Sequence, residues 1–198
     1  MSMISEKYKR QVQSGKSHWL DRKSFSPEIL EIIKGHFKKL DNLKLLDIGC
    51  AQGRNVFEFS RSGILAEGVD INKEFINHAK TRYPSLNFAV GDIENLYNEK
   101  RIFDVVVCMN TLFYTDIYKS LQETERLVKP GGLGIITLDE KIINLDSNKV
   151  IHNLNIEIAL SLLKKSIILK KELKERVDKK PFRHVHKYYQ IIFKKLNG

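Results

Sequence analysis

Two cysteines in 198 residues, Cys50 and Cys108, are too few for the disulfide framework of a small secreted protein. No stretch approaches 18 uninterrupted apolar residues, so no helical membrane span and no membrane partner are expected. The first ten residues carry charge without an apolar run, which argues against a secretory signal and for a cytoplasmic location. There is no internal repeat, no low-complexity tract, and no Gly/Ser linker to divide the chain. Negative charge is also short: 24 Asp and Glu face 34 Lys and Arg, for a net charge of +10. The imbalance is confined to the flanks. Residues 1–44 carry +5, residues 45–138 carry −2 and residues 139–198 carry +7. A basic rim of this kind either attracts phosphates and other acidic partners, RNA among them, or is a lysine-rich solvated surface.

What is present is an alternation of short apolar runs and amphipathic segments. Ser26, Pro27 and Glu28 open a helix by capping logic, and Ile29, Ile32, Ile33, Phe37 and Leu40 follow at helical spacing. Strands are expected at 43–48, 65–70, 86–90, 103–109 and 133–138. Helices are expected at about 54–62, 73–83 and 117–128, the second capped by Asn72 and stopped by Pro84. Lys129-Pro130-Gly131-Gly132 reads as a hard turn before the fifth strand. Strands separated regularly by helices imply right-handed crossovers and a parallel sheet covered on both faces. Beyond Asp139 a helix is expected over 149–164, followed by β-rich runs at 166–173 and 188–195. The segment between those runs is too short for a crossover helix, so they should pair antiparallel at the sheet edge.

Leu43–Val56 organises the rest. A buried strand ends on Asp47, then Gly49 and Gly53 stand four apart with small Ala51 between them, and a helix follows. Open α/β sheets hold nucleotide-like ligands beyond the carboxyl ends of their strands with such a turn. The other strand ends supply Asp70, Asp92 and the segment Cys108–Thr115. Asp70 is suited either to vicinal ribose hydroxyls or to capping the next helix; Asp92 can accept from an exocyclic amine. The spacing departs from the dinucleotide fingerprint G-x-G-x-x-G, which disfavours a nicotinamide cofactor.

Five segments occur in register between about Leu43 and Leu138: Leu-Leu-Asp-Ile-Gly-Cys-Ala-Gln-Gly-Arg-Asn, Glu-Gly-Val-Asp-Ile-Asn, Gly-Asp-Ile-Glu-Asn-Leu, Phe-Asp-Val-Val-Val-Cys-Met-Asn and Leu-Val-Lys-Pro-Gly-Gly-Leu. Together they strongly resemble the class I S-adenosylmethionine-dependent methyltransferases. The resemblance implies a doubly wound, mostly parallel seven-stranded α/β sheet with an antiparallel last strand. It divides the chain into a helical cap or lid over 1–42 and a Rossmann-like domain over 43–198. It also implies S-adenosylmethionine contacts from Asp47, Gly49, Cys50, Ala51, Gly53 and Asn55 around the methionine portion. Asp70 would hold the ribose, with Ile71, Asp92 and Ile93 at the adenine and Cys108, Met109 and Asn110 near the sulfonium. Ala51 departs from the usual glycine and is accommodated only if its backbone has an ordinary φ.

The implied activity is methyl transfer to an oxygen or nitrogen, with a small molecule as the expected acceptor. RNA methylation through the basic flanks, or a non-catalytic cofactor-binding role, are the alternatives. Asn110–Asp116 lacks the Asn/Asp-Pro-Pro-Tyr/Phe sequence of adenine- and glutamine-methylating relatives, and Cys108 lacks the Pro-Cys context of covalent cytosine chemistry. Tyr114 is a candidate acceptor-pocket residue, or else a tyrosine packing the sheet edge. His18, beside the single tryptophan, is a candidate lid residue or a surface histidine. His184 and His186 alternate toward the last strand and are expected to face solvent. No metal is expected, because no Asp/Glu/His cluster shows ligand spacing.

Overall fold

The computed structural model describes residues 27–96, 102–179 and 183–197. The chain builds α1 (Pro27–His36), β1 (Lys44–Ile48), α2 (Arg54–Arg61), β2 (Leu65–Asp70), α3 (Lys73–Arg82), β3 (Asn87–Val90) and β4 (Phe103–Cys108). It continues through α4 (Ile117–Leu127), β5 (Val128–Asn144), β6 (Val150–Asn153), α5 (Ile156–Leu160), β7 (Ser166–Asp178) and β8 (His184–Lys195). One eight-stranded sheet runs in the order β3-β2-β1-β4-β5-β8-β7, with β6 paired to β5 off that path. The pairs from β3 to β5 are parallel, and β8 is antiparallel to both β5 and β7. The strand order reverses at β1 and β4, which opens a crevice beyond their carboxyl ends.

Alternation along the strands sorts the core into two layers. Leu46, Ile48, Val106, Cys108, Ile136 and Leu138 face Leu121 and Leu127 of α4 and Ile156 and Ala159 of α5. Leu45, Val105, Val107, Leu133 and Ile135 face Ile29 and Ile33 of α1, Val56 and Phe59 of α2, and Ile76 and Ala79 of α3. Every residue of β4 is buried, as a central parallel strand covered on both faces requires. At the far edge, β7 alternates lysine and glutamate with exposed apolar side chains, and charge on an edge strand discourages pairing with further chains.

Several expectations need correction. The sheet has eight strands rather than seven, because β6 lies where a helix was expected over 149–164. Val150, His152 and Asn153 pair with Ile143, Ile142 and Lys141 of β5, with Ile151 at an irregularity between them, and His152 Nε2 bonds the Asp139 carbonyl at 2.8 Å. Only Ile156–Leu160 turns helical, started by Asn155, whose side chain accepts from Ile158 N at 3.1 Å. Residues 129–132 do not terminate anything. β5 already begins at Val128, and the Pro-Gly-Gly stretch is absorbed as an irregularity in which pairing passes from Phe103↔Val128 to Val105↔Leu133. The closing hairpin is longer than expected, with β7 reaching Asp178 and β8 starting at His184.

Candidate functional site

The glycine turn is held from two sides. Gly49 N and Cys50 N both donate to the Val69 carbonyl, at 2.8 and 3.1 Å, so the turn leans over the end of β2. Ala51 N then donates to Asp70 Oδ2 at 2.9 Å, while Asp70 Oδ1 accepts from Asn72 N at 2.8 Å. The turn needs left-handed backbone at Gly49 (φ 74°), Ala51 (φ 47°) and Gly53 (φ 79°). A side chain at Gly49 would drive into Thr111, with a Cβ only 2.0 Å from Thr111 Oγ1. Ala51 therefore does not have the ordinary φ expected of it; its methyl is carried in a region that L residues occupy at a cost. Gly53 opens α2 as its N-cap with no side-chain cap, which leaves the first helical N–H groups facing the crevice end of the sheet.

Around this turn lies a cleft of 240 Å³. It brings together Gly49, Cys50, Ala51, Asn55, Asp70, Ile71, Asp92, Ile93, Met109, Asn110 and Tyr114 from four successive strand ends. It also takes in Arg54, Thr111 and Thr115, which lie in segments singled out above but were not named as cofactor contacts, and Gln52, Phe75, Arg82 and Glu94. Thr111, Thr115 and Glu94 sit inside segments already singled out, so proximity in sequence was available as a signal. Phe75 and Arg82 reach the cleft only because α3 packs beside β2 and β3, and nothing local to them announces it.

Three expected residues do not line the cleft. Asp47 is 1% exposed behind the turn, Gly53 is packed under it against Phe88 and Ala79, and Cys108 is buried at the end of β4. His18 lies outside the described residues.

The titratable groups at and behind the turn are buried. Burial pushes the Asp47 carboxyl up to about 7, and the charge of Asp70 adds to the shift against opposing pulls from Asn55 and Arg54. Its Oδ2 is buried with no hydrogen-bond partner among the described residues. Burial raises Asp70 too, against the two backbone N–H groups that favour its charged form. Both cysteine thiols are pushed far up by burial, so neither is a thiolate nucleophile at neutral pH. Asp92 Oδ1 accepts from Glu94 N at 2.9 Å and caps a short 3-10 turn.

At the other end of the cleft Asn110 is left-handed (φ 56°), a conformation asparagine tolerates better than most residues. Its N–H donates to Thr137 Oγ1 at 2.6 Å and its Oδ1 accepts from Arg176 Nη1 at 2.5 Å. Tyr114 is half-buried on the 3-10 turn Leu112–Tyr114, with its neighbour Phe113 edge-on to His152.

The family model described as a methyltransferase domain matches residues 46–136, the span that carries the turn, Asp70, Asp92 and Asn110. Over that stretch, a little under half of its length, the chain is similar to a methyltransferase domain. It is 31% identical over 93 residues to a ubiquinone biosynthesis O-methyltransferase of Coxiella burnetii, a match covering 44% of this chain and 40% of that relative. A Rickettsia bellii protein of the same name is 26% identical over 114 residues, 55% of this chain and 47% of its own. The chain thus spans less than half the length of these curated relatives. The N-methyltransferase NodS from Bradyrhizobium japonicum, solved with S-adenosylhomocysteine, superposes with a TM-score of 0.68 at 14% identity, covering 99% of this chain and all of that one. At that identity the likeness speaks for the fold.

The structure also corrects the two C-terminal histidines. His184 and His186 are buried at 8% and 3% exposure, not turned to solvent. With Asp178 they form a cluster whose possible ligand atoms all lie within 4.8 Å of one another. Asp178 carries no local sequence signal for this cluster: only the hairpin, longer than the 166–173 and 188–195 runs expected, places it opposite His184.

Proposed function

We propose that this protein transfers a methyl group from S-adenosylmethionine to an oxygen or nitrogen of a small-molecule acceptor. The observation that carries this reading is the convergence of the glycine turn, Asp70, Asp92 and Asn110 on one cleft at the reversal of strand order. The residues fit the cofactor in character. An ammonium at the turn would be attracted by the charge of Asp47 buried behind it, and a carboxylate suits the uncapped start of α2. Asp70, already fixed by two backbone N–H groups, has further lone pairs for ribose hydroxyls, and Ile71 and Ile93 offer apolar surface to adenine. When bound, S-adenosylmethionine supplies a methyl group activated by a sulfonium.

What remains for the protein is alignment and exclusion of water. Asn110, tied to Thr137 and Arg176, holds the end of β4 rigid beside the methyl position, and Thr111, Tyr114 and Thr115 border the space where an acceptor would sit. Tyr114 is the described side chain best placed to orient an acceptor hydroxyl. The names of the curated relatives favour an oxygen acceptor over nitrogen.

The test is a methyl-transfer screen of small-molecule extract with isotopically labelled cofactor, identifying the product by mass. Label in an O-methylated or N-methylated small molecule is the expected outcome; label only in RNA, or none with any extract, overturns the reading. In parallel, Asp70→Asn removes the carboxylate and, because an amide has a single acceptor oxygen, one of its two backbone hydrogen bonds as well, and should weaken cofactor binding by tenfold or more in calorimetry. Unchanged affinity would remove Asp70 from the ribose site.

A further inference from the structure

We infer that Asp178, His184 and His186 form a binding site for one zinc-class divalent cation at the tip of the β7–β8 hairpin. The placement follows from strand geometry. His184 and His186 are two residues apart on β8 and share a face, and Asp178 is the direct cross-strand partner of His184. All three side chains are more than nine-tenths buried. His184 Nε2 and His186 Nε2 lie 3.9 and 3.6 Å from Asp178 Oδ2. A tetrahedral zinc site with bonds of about 2.0–2.1 Å has donor–donor edges of roughly 3.3–3.4 Å. The two His–Asp edges exceed this by roughly 0.3–0.6 Å, and every edge of the cluster lies within 4.8 Å.

The orientation of His186 points to a cation. Its Nδ1 lies 2.7 Å from Asp139 Oδ1. A carboxylate oxygen accepts, so Nδ1 carries the hydrogen and Nε2 presents its other side to Asp178. Nε2 is buried with no hydrogen-bond partner among the described residues. A carboxylate behind the imidazole that fixes its tautomer and leaves Nε2 forward is the arrangement that metal-binding histidines use. Arg176 Nε donates to Asp178 Oδ2 at 3.2 Å, the same oxygen that both imidazoles approach. Two imidazoles and one carboxylate suit zinc and its neighbours in the first transition row, not calcium or magnesium. Arg176 also binds Asn110, so an ion on Asp178 would tie the hairpin tip to the end of β4.

The competing arrangement is His186 held between Asp139 and Asp178 with no metal. The two are separated by titrating the chelator-treated full chain with zinc chloride. One equivalent per chain at micromolar affinity or better is expected, with a Tm raised by roughly 5–10 °C at a hundredfold excess over Kd. Asp139→Asn should weaken zinc binding by about 10–100-fold, and His184→Gln by more. X-ray absorption of the zinc-loaded wild-type chain should show two imidazoles and oxygen, a readout independent of whether any variant folds. No zinc uptake with an unmoved Tm assigns the cluster to the metal-free arrangement, and a shell containing sulfur assigns the ion to a cysteine; either result overturns the site.

Discussion

Ala51 shows how one methyl group is tolerated in a turn designed around glycine. Its φ of 47° places it where an L side chain costs about 1–2 kcal/mol, yet Ala51 N is held by Asp70 Oδ2 and the turn is braced by Val69. The rest of the turn over-determines this residue, so the strain persists. Ala51→Gly should relieve it, offset in part by the extra freedom glycine brings to the unfolded chain, for a net gain of about 0.5–1 kcal/mol. Differential scanning calorimetry should register a Tm higher by roughly 1–4 °C. A lower Tm would mean that the methyl contributes packing to the cleft wall that outweighs its backbone strain. Asn42, Asn110 and Asn148 take the other positive-φ positions outside glycine, and asparagine adopts that region at less cost.

At the scale of elements, the ends of β7 and β8 are held to the sheet by buried polar groups. Glu125 on α4 is the clearest case: its Oε1 accepts from Lys165 N at 2.8 Å and from Ser166 Oγ at 2.7 Å, docking the start of β7 against the helix. Glu125→Ala would leave both donors without this acceptor in a largely buried place and should cost about 2 kcal/mol. In urea unfolding this appears as a lower midpoint with unchanged slope; a change in slope would instead mean that β7 had come away from the native sheet. These long-range docking bonds are also where sequence reading ran out. The parallel half was legible because each strand there ends on a signal of its own, Asp47, Asp70 or Gly91-Asp92, and each helix has its own stop or cap. The C-terminal half has no such punctuation. Val150-Ile151-His152 is short and apolar enough to suit either period, and its pairing with β5 is decided by a partner strand and by Asp139, not by its neighbours. Asp178 and His184 looked like loop residues for the same reason, so the polar cluster they build was invisible until register put them opposite each other.

For the molecule as a whole, the basic excess is less available than the net charge of +10 suggests. Lys170 and Lys174 on β7 share Glu28 of α1 and Glu172 of their own strand, Lys171 reaches Glu157, and Lys187 pairs with Glu175. Exposed pairs of this sort contribute little stability, but they neutralise an edge that a phosphate backbone would otherwise follow. The charge that matters most for global stability is instead the buried Asp47. Its carboxyl titrates near 3.8 in the unfolded chain and is pushed up to about 7 in the native one, chiefly by burial. Between those values the native state binds the proton and the unfolded state does not. Stability therefore falls as pH rises from about 4 to 7, by at most about 1.4 kcal/mol per pH unit, and levels off above. Asp47→Asn removes that dependence, so the variant's advantage over wild type in urea unfolding should be small at pH 4.5 and larger at pH 8. An equal gap at both values would show that Asp47 is not raised. The proposed attraction of the cofactor's ammonium asks the opposite of the same group, since it needs the carboxylate charged. Cofactor affinity should rise between pH 5 and 7.5 in the wild type and be weaker and flat in Asp47→Asn, so that the change which stabilises the empty fold is the one that weakens its ligand.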